Sequence, residues 1–250
     1  MNSPCTRRRF LSRVALGGAG ALALRSRQLH AAPQTRPNFL FVLIDDLRWD
    51  AFSYMNHPFV ETPHIDRVRR EGVLLENAFV TTSLCSPARA SFLTGTYAHT
   101  HRVMGNNGAE FDPDKHPSFA QLLQKDGYET AYVGKWHQAP TAEPRPGFDY
   151  WLSFKGQGIH FDPPLNENGR DFTAKGYMTD ILTDYADQWL RRPHDGPWCL
   201  CLGHKAVHGP FQPPERDENL FPDAQMPEPP NWKDTFEGKP RWLRAERAGG

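Results

Sequence analysis

Asn38-Phe39-Leu40-Phe41-Val42-Leu43-Ile44, followed at once by Asp45-Asp46, is the stretch that decides the fold. An apolar run of this length without polar alternation fits a strand covered on both faces, as in a parallel sheet enclosed by helices. Ligands of open α/β sheets gather at the carboxyl ends of the strands, which is where Asp45 and Asp46 fall. Two adjacent carboxylates are costly to hold together unless a cation neutralises them, so both are candidate metal ligands; a helix cap or turn is the plainer alternative. Oxygen donors select a hard cation, and a cage of protein carboxylates leans to calcium over magnesium.

Outward from this strand, helix and strand signals alternate. Thr62 to Gly72 has a helix start, a helical period and a glycine stop, and Val73 to Val80 reads as a strand. Ser118 to Asp126 reads as a helix closed by Gly127, with a strand from Glu129 to Val133 after it. Thr179 to Leu190 is the clearest amphipathic helix, with Ile181, Leu182, Tyr185, Trp189 and Leu190 on one broad face. Trp198 to Leu202 reads as a further buried strand. Ala139–Pro146 and Phe161–Gly176 look like loops, and from Gly209 the chain is rich in proline with little periodicity. This alternation predicts an α/β fold: a mainly parallel sheet flanked by helices on both faces.

Length and charge narrow the function. The chain has 250 residues with 38% apolar content, enough for a substantial core, and its 29 basic and 29 acidic side chains cancel. Net charge therefore gives no argument for nucleic acid or an anionic membrane as partner. Thr6-Arg7-Arg8-Arg9-Phe10-Leu11 precedes a Gly/Ala-rich apolar run from Val14 to Leu24, which predicts a twin-arginine export signal over residues 1–32. That run is too short for a stable membrane span, and the expected location is periplasmic or secreted. Cys199 and Cys201 sit at i and i+2 of a strand, roughly 6.5–7 Å apart, at the far limit for a disulfide and wrongly spaced for zinc.

The chemistry concentrates in three further segments. In Cys85-Ser86-Pro87-Ala88-Arg89, extended by Leu93-Thr94-Gly95, Pro87 biases Ser86 away from helix, which suits a group presented at a helix start, where anions are favoured. A lone cysteine here would read as a buried thiol beside a turn. Gly134-Lys135-Trp136-His137 follows a strand and offers a point charge suited to an oxyanion and a ring that exchanges protons near neutrality; an exposed basic turn is the alternative. His204-Lys205-Ala206-Val207-His208-Gly209-Pro210-Phe211 follows another strand, with Lys205 either an anion-binding residue or a solvated one. His64, His99, His101, His116 and His160 have no metal-ligand spacing and default to the surface, and Gly105-Asn106-Asn107-Gly108 is either a substrate contact or a turn.

With these segments in this order, from about Asn38 to Phe211, the chain resembles the Cys-type sulfatases of the alkaline-phosphatase-like superfamily. The resemblance implies that Cys85, in C-x-P-x-R, is oxidised to formylglycine, whose hydrate carries two hydroxyls: one attacks sulfur and the other later expels sulfate. It further implies that Asp45, Asp46 and the residue-85 hydrate bind a divalent cation, Ca2+ ahead of Mg2+. Arg89 and Lys135 would neutralise sulfate, His137 would bond the hydrate, and His208 would protonate the departing alcohol. Asp45-Asp46-Leu47-Arg48-Trp49-Asp50 and Gly147-Phe148-Asp149-Tyr150-Trp151 are similar to enzymes acting on sulfated carbohydrates. Implied partners are a sulfated glycan, a formylglycine-maturation enzyme and the twin-arginine export machinery. A phosphonate or phosphodiester hydrolase of the same superfamily is the enzymatic alternative, and an inactive fragment the other. Family members are much longer: their second pair of metal ligands and later sulfate-binding lysine have no match here. Residues 33–250 are thus expected to be a truncated N-terminal catalytic domain with a Pro-rich tail from about 209, lacking the C-terminal part.

Overall fold

In the computed structural model, residues 36–228 and 233–241 are described. The export signal expected over residues 1–32, Cys5, Pro229 and Pro230 lie outside them. In chain order the elements are β1 (Phe39–Ile44), α1 (Pro63–Glu71), α2 (Cys85–Thr94), α3 (Ala98–His101), α4 (Phe119–Lys125), β2 (Glu129–Lys135), β3 (Tyr150–Phe154), β4 (Pro164–Glu167), β5 (Arg170–Thr173), α5 (Met178–Arg191) and β6 (Trp198–His204). They build one six-stranded mixed sheet in the order β1-β6-β2-β3-β4-β5. The first four are mutually parallel and β4 and β5 add antiparallel at one side. Ile44 pairs with His204, Gly134 with Gly203 and Lys135 with Phe154, so four carboxyl ends line up along one rim.

Strand side chains alternate between faces, and helices cover both, as the alternation of elements predicts. On one face Ala131, Val133, Leu152, Phe154, Leu200 and Leu202 pack against Met178, Leu182, Ala186 and Trp189 of α5. On the other, Tyr132, Trp151, Cys199 and Cys201 pack against Ala90 and Leu93 of α2, with Tyr132 stacked on Trp151 at 5.1 Å. Cys199 and Cys201 are buried free thiols. The start of α4 has a local cause: Ser118 Oγ accepts from Gln121 N while Gln121 Oε1 accepts from Ser118 N, a reciprocal capping box.

Four expectations are corrected. Strand β1 is not covered on both faces: Phe39 and Phe41 face the aromatic core, but Leu40 and Val42 are 49% and 53% exposed. The core cluster of α5 draws residues from β2, β3, β4 and β6 and none from β1. Val73 to Val80 forms no strand; Val73, Leu75 and Phe79 are 75–87% exposed, and apolar composition without a paired neighbour does not make a strand. Phe161–Gly176 is not a loop, since it contains the β4-β5 hairpin. Its Asn168-Gly169 turn has both residues at positive φ, 49° and 88°, the geometry that Asn-Gly favours between strands. Finally, His101 and His160 are buried rather than superficial. No helix among the described residues is long and apolar enough to cross a membrane.

Candidate active site

The carboxyl rim of the sheet gathers the charged residues, and the N-terminus of α2 points Cys85 among them. Cys85 is the first residue of α2, whose preceding residue Leu84 makes no side-chain cap. The capping comes from elsewhere in the chain: Asn106 Oδ1 accepts from Ser86 N at 2.9 Å, and Ser86 Oγ donates to the His137 carbonyl. One orphan N–H of the first turn is thus satisfied by the loop that carries Asn106, and the Ser86 hydroxyl is anchored on the turn after β2, which ties the position of Cys85 to both.

One helical turn on, the buried Arg89 donates from Nη1 to the Lys135 carbonyl at 2.5 Å, an oxygen that also accepts from the Tyr132 hydroxyl at 2.5 Å. Gly203 leaves the space for this: a Cβ there would press on Arg89 Nη1, the Lys135 carbonyl and the Tyr132 hydroxyl. Burial, against the opposing charge of Arg89, pushes the Tyr132 phenol up to about 12, so it stays a neutral donor. Lys135, fully buried, aims its ammonium at Asp45 Oδ2 and at Gln157 Oε1, and lies 3.7 Å from Cys85 Sγ. Asp45 is 8% exposed and also faces Arg89 Nη2 at 3.7 Å, so its carboxylate sits between two cations. Its backbone is locked to the segment after β6 by Asp45 N→Ala206 O, 2.9 Å, and Val207 N→Asp45 O, 2.7 Å.

Asp46 takes a positive φ of 57° and stays half exposed, facing His208 Nε2 at 3.7 Å. His208 Nδ1 bonds the Gly209 carbonyl at 2.8 Å; a carbonyl only accepts, so Nδ1 carries a proton and Nε2 is the atom presented to the cleft. Ligand-capable atoms of Asp45, Cys85 and His208 lie within 4.8 Å of one another. His137 is half-buried at a φ of 56°, and burial, reinforced by Lys135 and Arg89, pushes its imidazole down to about 4, leaving it neutral near pH 7. Lys205 is buried rather than solvated; its Nζ donates to the Gly209 carbonyl at 3.1 Å, and burial, then Lys135, lowers its pKa. A cleft of about 800 Å³ opens over Asp45, Asp46, Cys85, Arg89, Asn106 and His208.

Asp45, Asp46, Cys85, Arg89, Lys135, His137, Lys205 and His208 therefore come together in one neighbourhood. Gln157 and the structural role of Asn106 were not read from the sequence. Gln157 follows β3 at the same rim, flanked by Gly156 and Gly158, and a Gly-x-Gly loop after a parallel strand was the available signal. The arrangement can take an anion beside Arg89 and Lys135, and a hard cation at Asp45 and Asp46.

A family model described as Sulfatase matches residues 37–234. Among curated proteins, an N-acetylglucosamine-6-O-sulfatase of Bacteroides thetaiotaomicron is 36% identical over 215 residues, which span 84% of this chain and 38% of that protein. A Ulvan-active sulfatase of Formosa agariphila is 30% identical over 220 residues, 83% of this chain and 42% of that one. A solved structure of a protein in complex with its substrate D-glucosamine-2-N,6-O-disulfate superposes with a TM-score of 0.77 at 36% identity, covering 84% of this chain and 42% of that chain. The chain thus spans about two fifths of the length of these relatives.

Proposed function

Because this chain belongs to the sulfatase family, we propose that it is the catalytic part of a sulfuric ester hydrolase acting on sulfated carbohydrates, with residue 85 as the nucleophile position. The observation that carries this reading is the convergence of Asp45, Arg89, Lys135 and His208 on Cys85 at a helix N-terminus. The Cys85 sulfur occupies the place of the two oxygens of a formylglycine hydrate, which supplies a hydroxyl nucleophile when the cysteine has been modified.

Fit to a divalent cation rests on donor chemistry. The buried Asp45 stands beside the residue-85 position and the adjacent Asp46 lines the same cleft, a pair of hard-oxygen donors suited to Ca2+ and less specifically to Mg2+. Asp45 and Asp46 would hold the cation, which supplies charge neutralisation at the oxygens around residue 85. Calcium takes about six to eight oxygens, so further donors are needed beyond these.

The remaining roles belong to side chains of this chain. Arg89 and Lys135 hold the sulfate oxygens and offset the negative charge that keeps a nucleophile away. The neutral His137 hydrogen-bonds the residue-85 hydroxyls. His208, its ring fixed by the Nδ1 bond, presents Nε2 to the bridging oxygen and, as the doubly protonated imidazolium, gives its Nε2 proton to the leaving alcohol and returns to the Nδ1–H form. Lys205, buried behind Cys85 and Lys135, adds positive potential toward the anion. The relatives point to an amino-sugar 6-sulfate as the first substrate to try. The twin-arginine segment supports export of the folded, matured protein to the periplasm or beyond, consistent with a polymeric glycan as substrate.

Mass spectrometry of the Cys85 peptide after coexpression with a formylglycine-generating enzyme is expected to show a loss of roughly 18 Da, as thiol becomes aldehyde. The matured protein is then expected to hydrolyse N-acetylglucosamine 6-sulfate or an aryl sulfate in preference to an aryl phosphodiester. An intact thiol after coexpression overturns the nucleophile assignment, and preferred turnover of the phosphodiester overturns the substrate class.

A further inference from the structure

Lys135 is the most deeply buried charge among the described residues. Its side chain is fully buried, and its ammonium has three protons to place without water. One is directed to Asp45, one to Gln157 and one toward Cys85 Sγ, 3.7 Å away. The first two acceptors determine where the third proton points. Gln157 is therefore the member of the set that faces neither the cleft carboxylates nor the nucleophile, yet sets the direction between them.

The local backbone explains why Gln157 is in place. Gly156 and Gly158 adopt φ values of 60° and 67°, which turn the chain sharply after β3 and bring the side chain back over the end of β2. At Gly158 a Cβ would collide with the Phe154 ring and come within 3.2 Å of Met178, so the turn is seated directly on the core. Gln157 is half-buried, and its amide oxygen is pinned by this turn.

The residue type matters as well. A carboxylate would accept the same proton, but it would also neutralise the ammonium and compete with a bound anion. A neutral amide accepts without cancelling the charge. We propose that Gln157 is a positioning residue: it orients the Lys135 ammonium toward residue 85 while leaving its charge available to sulfate. This rests on the sulfatase assignment for its consequence in turnover, but the orientation itself is a property of the folded chain.

The test uses the full chain labelled with 15N-lysine, with the buried ammonium groups of Lys135 and Lys205 followed by NMR. In Gln157→Leu the Lys135 resonance is expected to broaden or shift more than that of Lys205, whose Nζ is held by the Gly209 carbonyl. In Gln157→Glu it is expected to persist and to shift through a charge-assisted bond. In the matured protein, Gln157→Leu should lower kcat about tenfold or more with KM changed less than about twofold. Gln157→Glu should weaken inorganic sulfate binding about tenfold, because the added carboxylate offsets the Lys135 charge, and an unchanged sulfate affinity there would overturn the charge-sparing part of the proposal.

A Lys135 resonance unmoved in Gln157→Leu overturns the proposal. Where that variant does not fold, a Lys135 resonance unmoved in Gln157→Glu overturns it equally. If the resonance responds but the wild-type protein neither binds sulfate nor hydrolyses sulfate esters, the positioning role stands and the sulfatase assignment fails.

Discussion

Strand β2 ends in, and strand β1 is followed at once by, a charged residue facing Cys85, yet the two are held by different means. Six of the seven residues of β2 are buried, and Lys135 at its end is enclosed by Arg89, Tyr132, Asp45 and Gln157. Strand β1 is partly buried on one side only, with Leu40, Val42 and Ile44 exposed on the other. Its Asp45 is held by two backbone bonds to the segment after β6 and by the two cations opposite. The cation-bearing half of the site is thus fixed by packing, and the carboxylate half by hydrogen bonds and charge. Substitutions in the two halves should differ accordingly.

The sharpest contrast is at Gly134, where β2 and β6 approach closely. Its φ is 117° and a Cβ would overlap the Gly203 carbonyl, a backbone atom that cannot swing away. Gly134→Ala is expected to destabilise by more than about 4 kcal/mol or to yield no soluble protein, measured by chemical denaturation; wild-type stability would break the account of this rim. Next, Leu200→Ala, in the middle of β6 where no side-chain surface is exposed, should cost about 2–5 kcal/mol. Denaturation curves that superpose on the wild type would show that the α5 face is less tightly packed than described.

A pH effect of intermediate size belongs to the packed half. His101 is buried beneath α2, with Nδ1 accepting from Val103 N at 3.1 Å and Nε2 paired with Ser91 Oγ at 3.0 Å. Protonating Nδ1 breaks the first bond, and burial, followed by the nearby His116, lowers the imidazole pKa below 6.5. The unfolded chain therefore takes up this proton first. The stabilisation is complete above the unfolded value and is lost as pH falls below 6.5 toward the lower folded value. The melting temperature should drop over this window, and the slope should be shallower in His101→Gln. The smallest effect is expected on the open face of β1: Val42→Thr, at a position 53% exposed, should change stability by no more than about 0.5 kcal/mol. A loss of several kcal/mol there would mean that this face is covered in solution, and the distinction between the two strands would disappear.

Much of this was written locally. The apolar run ending in Asp45-Asp46 marked β1 and its rim. The Ser118 cap, the period of α5 and the Cys85-x-Pro-x-Arg89 spacing each depend on residues within a few positions of one another, where geometry follows from the backbone alone. The β4-β5 hairpin was equally local, since Asn168-Gly169 carries its turn, but the alternation around it is too short to stand out beside the surrounding polar residues. The exposed segment from Val73 to Val80 misled because apolar composition records a preference for burial and not the presence of a pairing partner.

The residue types needed for an anion site, their order and the strand ends that carry them were determined by the sequence by itself. Only the tertiary structure decided that Lys205 is buried, that Asn106 caps the helix of Cys85 from a distant loop, that β1 keeps one face open, and that Gln157 completes the set around Lys135. Each of these depends on two segments far apart in the chain meeting at one rim. Burial and hydrogen-bond direction are properties of that meeting, and no local pattern encodes them.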